Sequence, residues 1–175
     1  MLKKTQIKIG ETIGVVFIVY LIVFFGGSWF LSSQNKSNQE FKETQALIKA
    51  YNIYNYVINH PFLRVTITGI IEEDQKLNYL ALKTFSNFTN KSIQNELYYK
   101  NKLGDSLITI NLYNYTGSKL VNFENYTLYN NTKKYSNKKY IGSKNIINAI
   151  NIYDPSNKKV YFGTINVKVF YDPLS

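Results

Sequence analysis

Residues 13–31 read IGVVFIVYLIVFFGGSWFL, an uncharged apolar run that decides the layout of the whole chain. At ~1.5 Å rise per residue, about 19 residues span about 28 Å, which matches the hydrocarbon core of a bilayer. Lys3, Lys4 and Lys8 stand on its short side. By the positive-inside rule they hold the N-terminus in the cytoplasm and send the following residues across, so the expected localisation is the cell membrane with an extracytoplasmic C-terminal domain. Trp29 falls near the outer boundary, where an amphipathic indole is favoured. The competing reading is a cleaved secretory signal, whose only plausible cut lies around Gly26, Gly27 and Ser28; the run is longer than an ordinary h-region, and bulky Trp29 and Phe30 follow that position.

Outward from this anchor, the sequence suggests four parts: a basic leader at 1–10, a membrane helix at 11–31, an amphipathic extension at 32–60, and a β-rich domain at 61–175. The 175 residues suit one compact domain plus an anchor, and 16 Tyr with 11 Phe supply enough apolar surface for a core. There is no cysteine, so packing alone must stabilise the domain. The net charge of +10 invites a polyanion reading, but Arg64 is the one arginine among 21 basic residues. Nucleic-acid readers lean on the guanidinium fork, which argues against that partner; base composition alone would yield such a Lys, Asn, Ile and Tyr profile.

Leu47, Tyr51, Tyr54 and Ile58 recur at intervals of four, three and four, which predicts one apolar stripe on a helix ended by His60-Pro61. Leu63, Val65 and Ile67 alternate with Arg64, Thr66 and Thr68 in a short strand closed by Gly69. A second helix is expected over Glu72–Phe88, with Leu77, Leu80, Ala81, Thr84 and Phe85 on one face. From Asp105 the period becomes two: Ile108, Ile110 and Leu112 share a face, and another strand is expected at Lys119–Tyr129 before a lysine-rich loop at Asn130–Ser143. Strands on either side of the turn Asp154-Pro155-Ser156-Asn157 form a hairpin, with Ile165, Val167 and Val169 inward and Asn166 and Lys168 outward. The fold class is therefore α+β: a long N-terminal helix packed on an antiparallel sheet, with a second helix.

The pattern Lys3, Lys4, Lys8, Gly10, Glu11 followed by an apolar helix resembles the class III signal of type IV pilin-like proteins. More narrowly, QIKIGETIGVVFIVYLIVFF and INIYDPSNKKVYFGTINVKVFY resemble an uncharacterised group of single-pass, pilin-like archaeal proteins; the resemblance covers residues 4–30, 96–113 and 125–171. It implies peptidase cleavage between Gly10 and Glu11 with the helix retained, and self-association or association with other pilin-like subunits through that helix. Val15 stands where bacterial pilins carry a glutamate that pairs with a neighbour's free α-amino group. The alternative role of Gly10 and Glu11 is to start the helix, with Glu11 set favourably against its dipole.

The residues for chemistry are sparse, and no enzyme or cofactor is expected. His60 is the one histidine, and its place before proline suits a capping or surface role. Glu72, Glu73 and Asp74 oppose the dipole of the expected second helix. Lys133, Lys134, Lys138, Lys139 and Lys144, interleaved with Tyr135 and Tyr140, form a candidate polyanion patch for anionic surface glycans, or simply a solvated loop. Asn-x-Ser/Thr sequons at Asn35, Asn87, Asn90, Asn114, Asn125 and Asn130 are glycosylation candidates. Two functions follow as expectations: a pilin-like structural subunit of a surface filament or envelope complex, or a monomeric membrane-anchored adhesin-like or receptor-like module.

Overall fold

A single long helix, α1, runs Leu2–Ile58 and stays helical through Gly26–Gly27 and Ser32–Ser37. The structure, a computed structural model, describes residues 2–67, 70–71, 76–89, 93–116, 118–132 and 141–173. The chain divides into two units, 1–41 and 42–175. In the first unit, α1 carries no charged residue over residues 13–31, and the hydroxyl of Ser28 is met locally, its Oγ donating to Phe24 O at 2.8 Å. In the second unit the remainder of α1 packs on a five-stranded sheet.

The sheet consists of β3 (Leu77–Asn78), β4 (Ser106–Thr116), β5 (Lys119–Asn130), β6 (Gly142–Asp154) and β7 (Lys159–Tyr171), in the order β3-β6-β7-β4-β5. A separate two-stranded ribbon joins β1 (Thr66–Ile67) and β2 (Ile70–Ile71). The expected antiparallel sheet is mixed, because β3 pairs parallel with β6 through Leu77↔Ile152 and Asn78↔Tyr153. The other side of β3 is taken by the segment after α1: Val65 N donates to Lys76 O at 3.1 Å and Asn78 N to Leu63 O at 2.8 Å.

Strand alternation behaves as the sequence suggests. Ile108, Ile110, Leu112, Ile165, Val167 and Val169 are buried on one face, with Ile150 and Ile152 of β6 and Leu128 of β5 beside them. Register places Ile108 opposite Val167 and Ile110 opposite Ile165, so β-branched residues meet across the central strands. Asn166 and Lys168 lie on the opposite face. In the β6–β7 turn, Asp154 Oδ1 accepts from Ser156 N at 2.9 Å and Oδ2 from Asn157 Nδ2 at 2.8 Å, while Lys158 takes up the left-handed backbone at φ 53°. This explains why Asp154 can be buried: its carboxylate is engaged at both oxygens.

The helix stripe differs from the sequence reading by one position. Leu47 and Tyr51 are 47% and 56% exposed, and the buried row is Ala46, Ala50, Ile53 and Val57. Ile58 is buried as expected, and Tyr54 packs at the margin of the core. The reason is space: the β-branched rows of β4 and β7 already fill the layer beneath the helix, and alanines at 46 and 50 let the backbone come close where leucine or tyrosine would hold it off. Counting large apolar side chains misses a face made partly of small ones.

The second helix, α2, begins at Tyr79 rather than Glu72 and runs to Thr89. Asn78 sets its start, its Oδ1 accepting from Leu80 N at 3.0 Å and Ala81 N at 3.2 Å, an N-cap that ends the β3 strand at the same residue. Leu82 and Phe85 are its buried residues, whereas Leu80 is 46% exposed. The acidic run Glu72, Glu73 and Asp74 lies outside the described residues. A third helix, α3 (Ile93–Leu103), was not expected; it buries Tyr99 and Leu103 and ends at Gly104, whose φ of 60° and N–H bond to Lys100 O at 2.8 Å form a left-handed C-cap.

This packing separates two kinds of substitution. Ile53→Ala should cost about 2–5 kcal/mol and Ala50→Leu about 1–3 kcal/mol, whereas Tyr51→Ala should cost less than about 1 kcal/mol. Urea unfolding of the detergent-solubilised chain, followed by tyrosine fluorescence, measures all three; equal losses at Tyr51 and Ile53 would contradict the assigned face.

Candidate functional site

Among the described residues, a long run of exposed apolar side chains lies on α1. None of its most apolar 18-residue window is buried, and Ile13, Phe17, Val19, Tyr20, Phe25 and Trp29 are all more than half exposed. The helix is long and apolar enough to cross a membrane; a signal sequence meets the same criterion, whereas the core helix of a soluble protein would be mostly buried. A Cβ built on Gly14, Gly26 or Gly27 meets nothing within 4 Å, so no contact inside this chain requires glycine at these places. Gly10 and Glu11 do not start the helix, which begins at Leu2 and has no acidic residue in its first turn. The leader residues after Met1 continue the helical backbone, and Glu11 therefore stands too far in for the dipole role.

No family model, curated protein or solved structure matches this chain. The reading of its surfaces rests on their geometry.

Of the candidate polyanion patch, Lys133, Lys134, Tyr135, Lys138, Lys139 and Tyr140 lie outside the described residues. Lys144 is engaged elsewhere: its Nζ is 2.6 Å from Glu43 Oε2 of α1, and this bond raises the lysine pKa. It sits opposite Val169, on the helix-covered face of β6. The same corner is tied again by Lys42 Nζ, which donates to Asp172 O at 3.4 Å and Pro173 O at 3.3 Å. Lys144 is thus a clasp between helix and sheet.

The sequons fall on several kinds of backbone. Asn35 lies in α1, Asn87 in α2, Asn114 in β4 and Asn125 in β5, while Asn130 closes β5; each of these five side chains is exposed. Asn90 lies outside the described residues. Among the described residues, no cluster of His, Asp or Glu has the geometry to hold a metal ion.

His60 is more enclosed than a surface cap. Its ring packs edge-on against Tyr56 at 5.5 Å and Phe85 at 5.4 Å, beside a recess of about 420 Å³ lined also by Phe62, Thr84 and Tyr99. Nothing in the sequence near His60 announced this, because Phe85 and Tyr99 come from α2 and α3. Among the described residues, His60 Nδ1 is buried without a hydrogen-bond partner, and burial lowers the imidazole pKa. Tyr56 beside it is pushed up to about 12, first by burial and then by its hydrogen bond with Tyr98.

With its folded pKa below the unfolded value of about 6.5, His60 binds a proton more readily in the unfolded chain. Its neutral form is accommodated fully above that pH, and stability falls as pH drops toward the folded pKa. The thermal midpoint should therefore decrease between about pH 7.5 and 5.5, and His60→Phe should flatten that part of the profile; the titration is clean because no other histidine is present. An unchanged slope in the variant would assign the effect to other groups.

Proposed function

We propose that this chain is a single-pass membrane protein whose N-terminal helix serves as both anchor and assembly element, a pilin-like subunit of a surface filament or envelope complex. The observation that carries the reading is the uncharged segment at 13–31, apolar all round and unburied within the chain. A helix with no polar stripe is stable only where lipid or other helices surround it. Lys3, Lys4 and Lys8 favour a cytoplasmic N-terminus, which puts the sheet-bearing unit on the outer side. The open space around Gly14, Gly26 and Gly27 suits close approach of a second helix.

The amphipathic half of α1 supports the same reading, since it belongs to the folded core through Ala46, Ala50, Ile53 and Val57. One helix, continuous over Leu2–Ile58, thereby carries both a lipid-soluble segment and part of the folded core. The resemblance to class III signals adds an expected cut between Gly10 and Glu11, and filaments would form through bundling of the retained helices.

Intact-mass analysis of the chain recovered from membranes of its native cell tests the assignment. A mature protein beginning at Glu11 is the expected result; an intact Met1 favours the monomeric anchored module, and a cut near Ser28 removes the anchor altogether. In a separate test, Val19→Lys places a charge at the centre of the run at a cost of about 2.5–3.5 kcal/mol. It should reduce the carbonate-resistant membrane fraction markedly, and unchanged fractionation would overturn the membrane span.

A further inference from the structure

We infer that Asn130 is an N-glycosylation site, selected among the exposed sequons by the folded backbone. Its carboxamide is held in a compact turn: Oδ1 accepts from Thr132 N at 3.2 Å and from Thr132 Oγ1 at 2.9 Å. The two functional members of the sequon, the asparagine amide and the hydroxyl two residues on, are thus already in contact. Nδ2 makes no hydrogen bond among the described residues, and the side chain is exposed. Hydrogen bonds to Oδ1 draw electron density from the amide and make its N–H more acidic, easing the step at which an otherwise unreactive nitrogen becomes a nucleophile.

The middle residue of the sequon explains why this turn persists. Asn131 N donates to Ser106 O at 3.0 Å, and its Nδ2 donates to Gly104 O and to Asp105 Oδ1, each at 3.2 Å. Asn131 therefore fastens the end of β5 to the junction between α3 and β4, and leaves Asn130 on the outside of that joint.

The other described sequons lack this arrangement for elementary reasons. Asn35 and Asn87 are helical, and side chains two apart on a helix do not face each other. Asn114 and Asn125 are within strands, where residues two apart share a face but their Cα atoms stand about 6.6 Å apart, too far for short side chains to close a turn. Asn125 Oδ1 instead accepts from Asn122 Nδ2 at 2.7 Å. Of the described sequons, Asn130 alone stands at the last position of the ladder, where the chain leaves β5 for a turn.

The co-reactant is an oligosaccharide linked to a polyprenyl phosphate or diphosphate. Asn130 Nδ2 forms a bond to the anomeric carbon, the carbon–oxygen bond to the lipid phosphate breaks with its electron pair leaving on phosphate, and a base of the transferase takes the Nδ2 proton. The inference rests on the extracytoplasmic placement of residues 42–175 proposed above.

The test uses the full chain in membranes of an N-glycosylating host, with glycopeptide mass spectrometry for site occupancy and protease protection of sealed vesicles for topology. The expected result is higher occupancy at Asn130 than at Asn114 or Asn125, lost in Asn130→Gln and Thr132→Ala. Asn131→Ala leaves the sequon intact but loosens the turn, and should lower occupancy at Asn130 several-fold; circular dichroism checks that this variant folds. If the domain is protected and Asn130 is bare, or if a folded Asn131→Ala is modified as fully as the parent, the inference is overturned while the membrane assignment stands. If the domain is cytoplasmic, the topology falls and this inference falls with it.

Discussion

The domain depends on how closely α1 can lie on the central strands. Ala46 and Ala50 add little more than backbone to the buried cluster that also holds Ile165, Val167 and Val169, and Ile53 and Val57 continue it along the helix. This seam is what joins α2, α3 and the sheet into one apolar cluster, since Leu82, Phe85, Tyr99 and Leu103 close over the same layer. With no disulfide available, dispersion and burial at this density carry the stability. Polar ties at the rim, such as Lys144 to Glu43, orient the helix and add little energy of their own.

Gly163 illustrates how tight the layer is. A Cβ there would lie 2.7 Å from Ile152 Cδ1 and 3.1 Å from the Asn111 carbonyl oxygen, between the two strands that flank β7. The glycine lets a large residue on the neighbouring strand lean across the sheet, which is one of the uses of glycine in a strand interior. Ile152 is completely buried as a result.

Much of this architecture was legible from period alone. The alternation of Ile108, Ile110 and Leu112, and of Ile165, Val167 and Val169, fixed both the strands and their buried face, because a side chain in a sheet has only two directions to choose from. A helix offers a continuum of faces, and there the reading slipped: Leu47 and Tyr51 outweighed Ala46 and Ala50 by size, although the smaller pair makes the contact. The start of α2 was hidden by Leu77, which fits a helical stripe yet belongs to β3, and the Asn78 cap was its only local signal. α3 is rich in Asn and Lys and shows little periodicity; Lys100 and Lys102 before Gly104 were the marks of its C-terminus. The recess at His60 was beyond reach, because it draws residues from α2, α3 and the turn after α1, which only tertiary structure brings together.

The strand order also has a temporal meaning. β7 is last of the described strands in the chain, yet it lies in the middle of the sheet and pairs with both β4 and β6. Until it emerges, β4–β5 is a hairpin with one bare edge, β6 has no antiparallel neighbour, and the alanine face of α1 has no floor to rest on. The centre of the sheet is thus the part that the chain supplies last, and the buried side chains of Ile165, Val167 and Val169 arrive only with it.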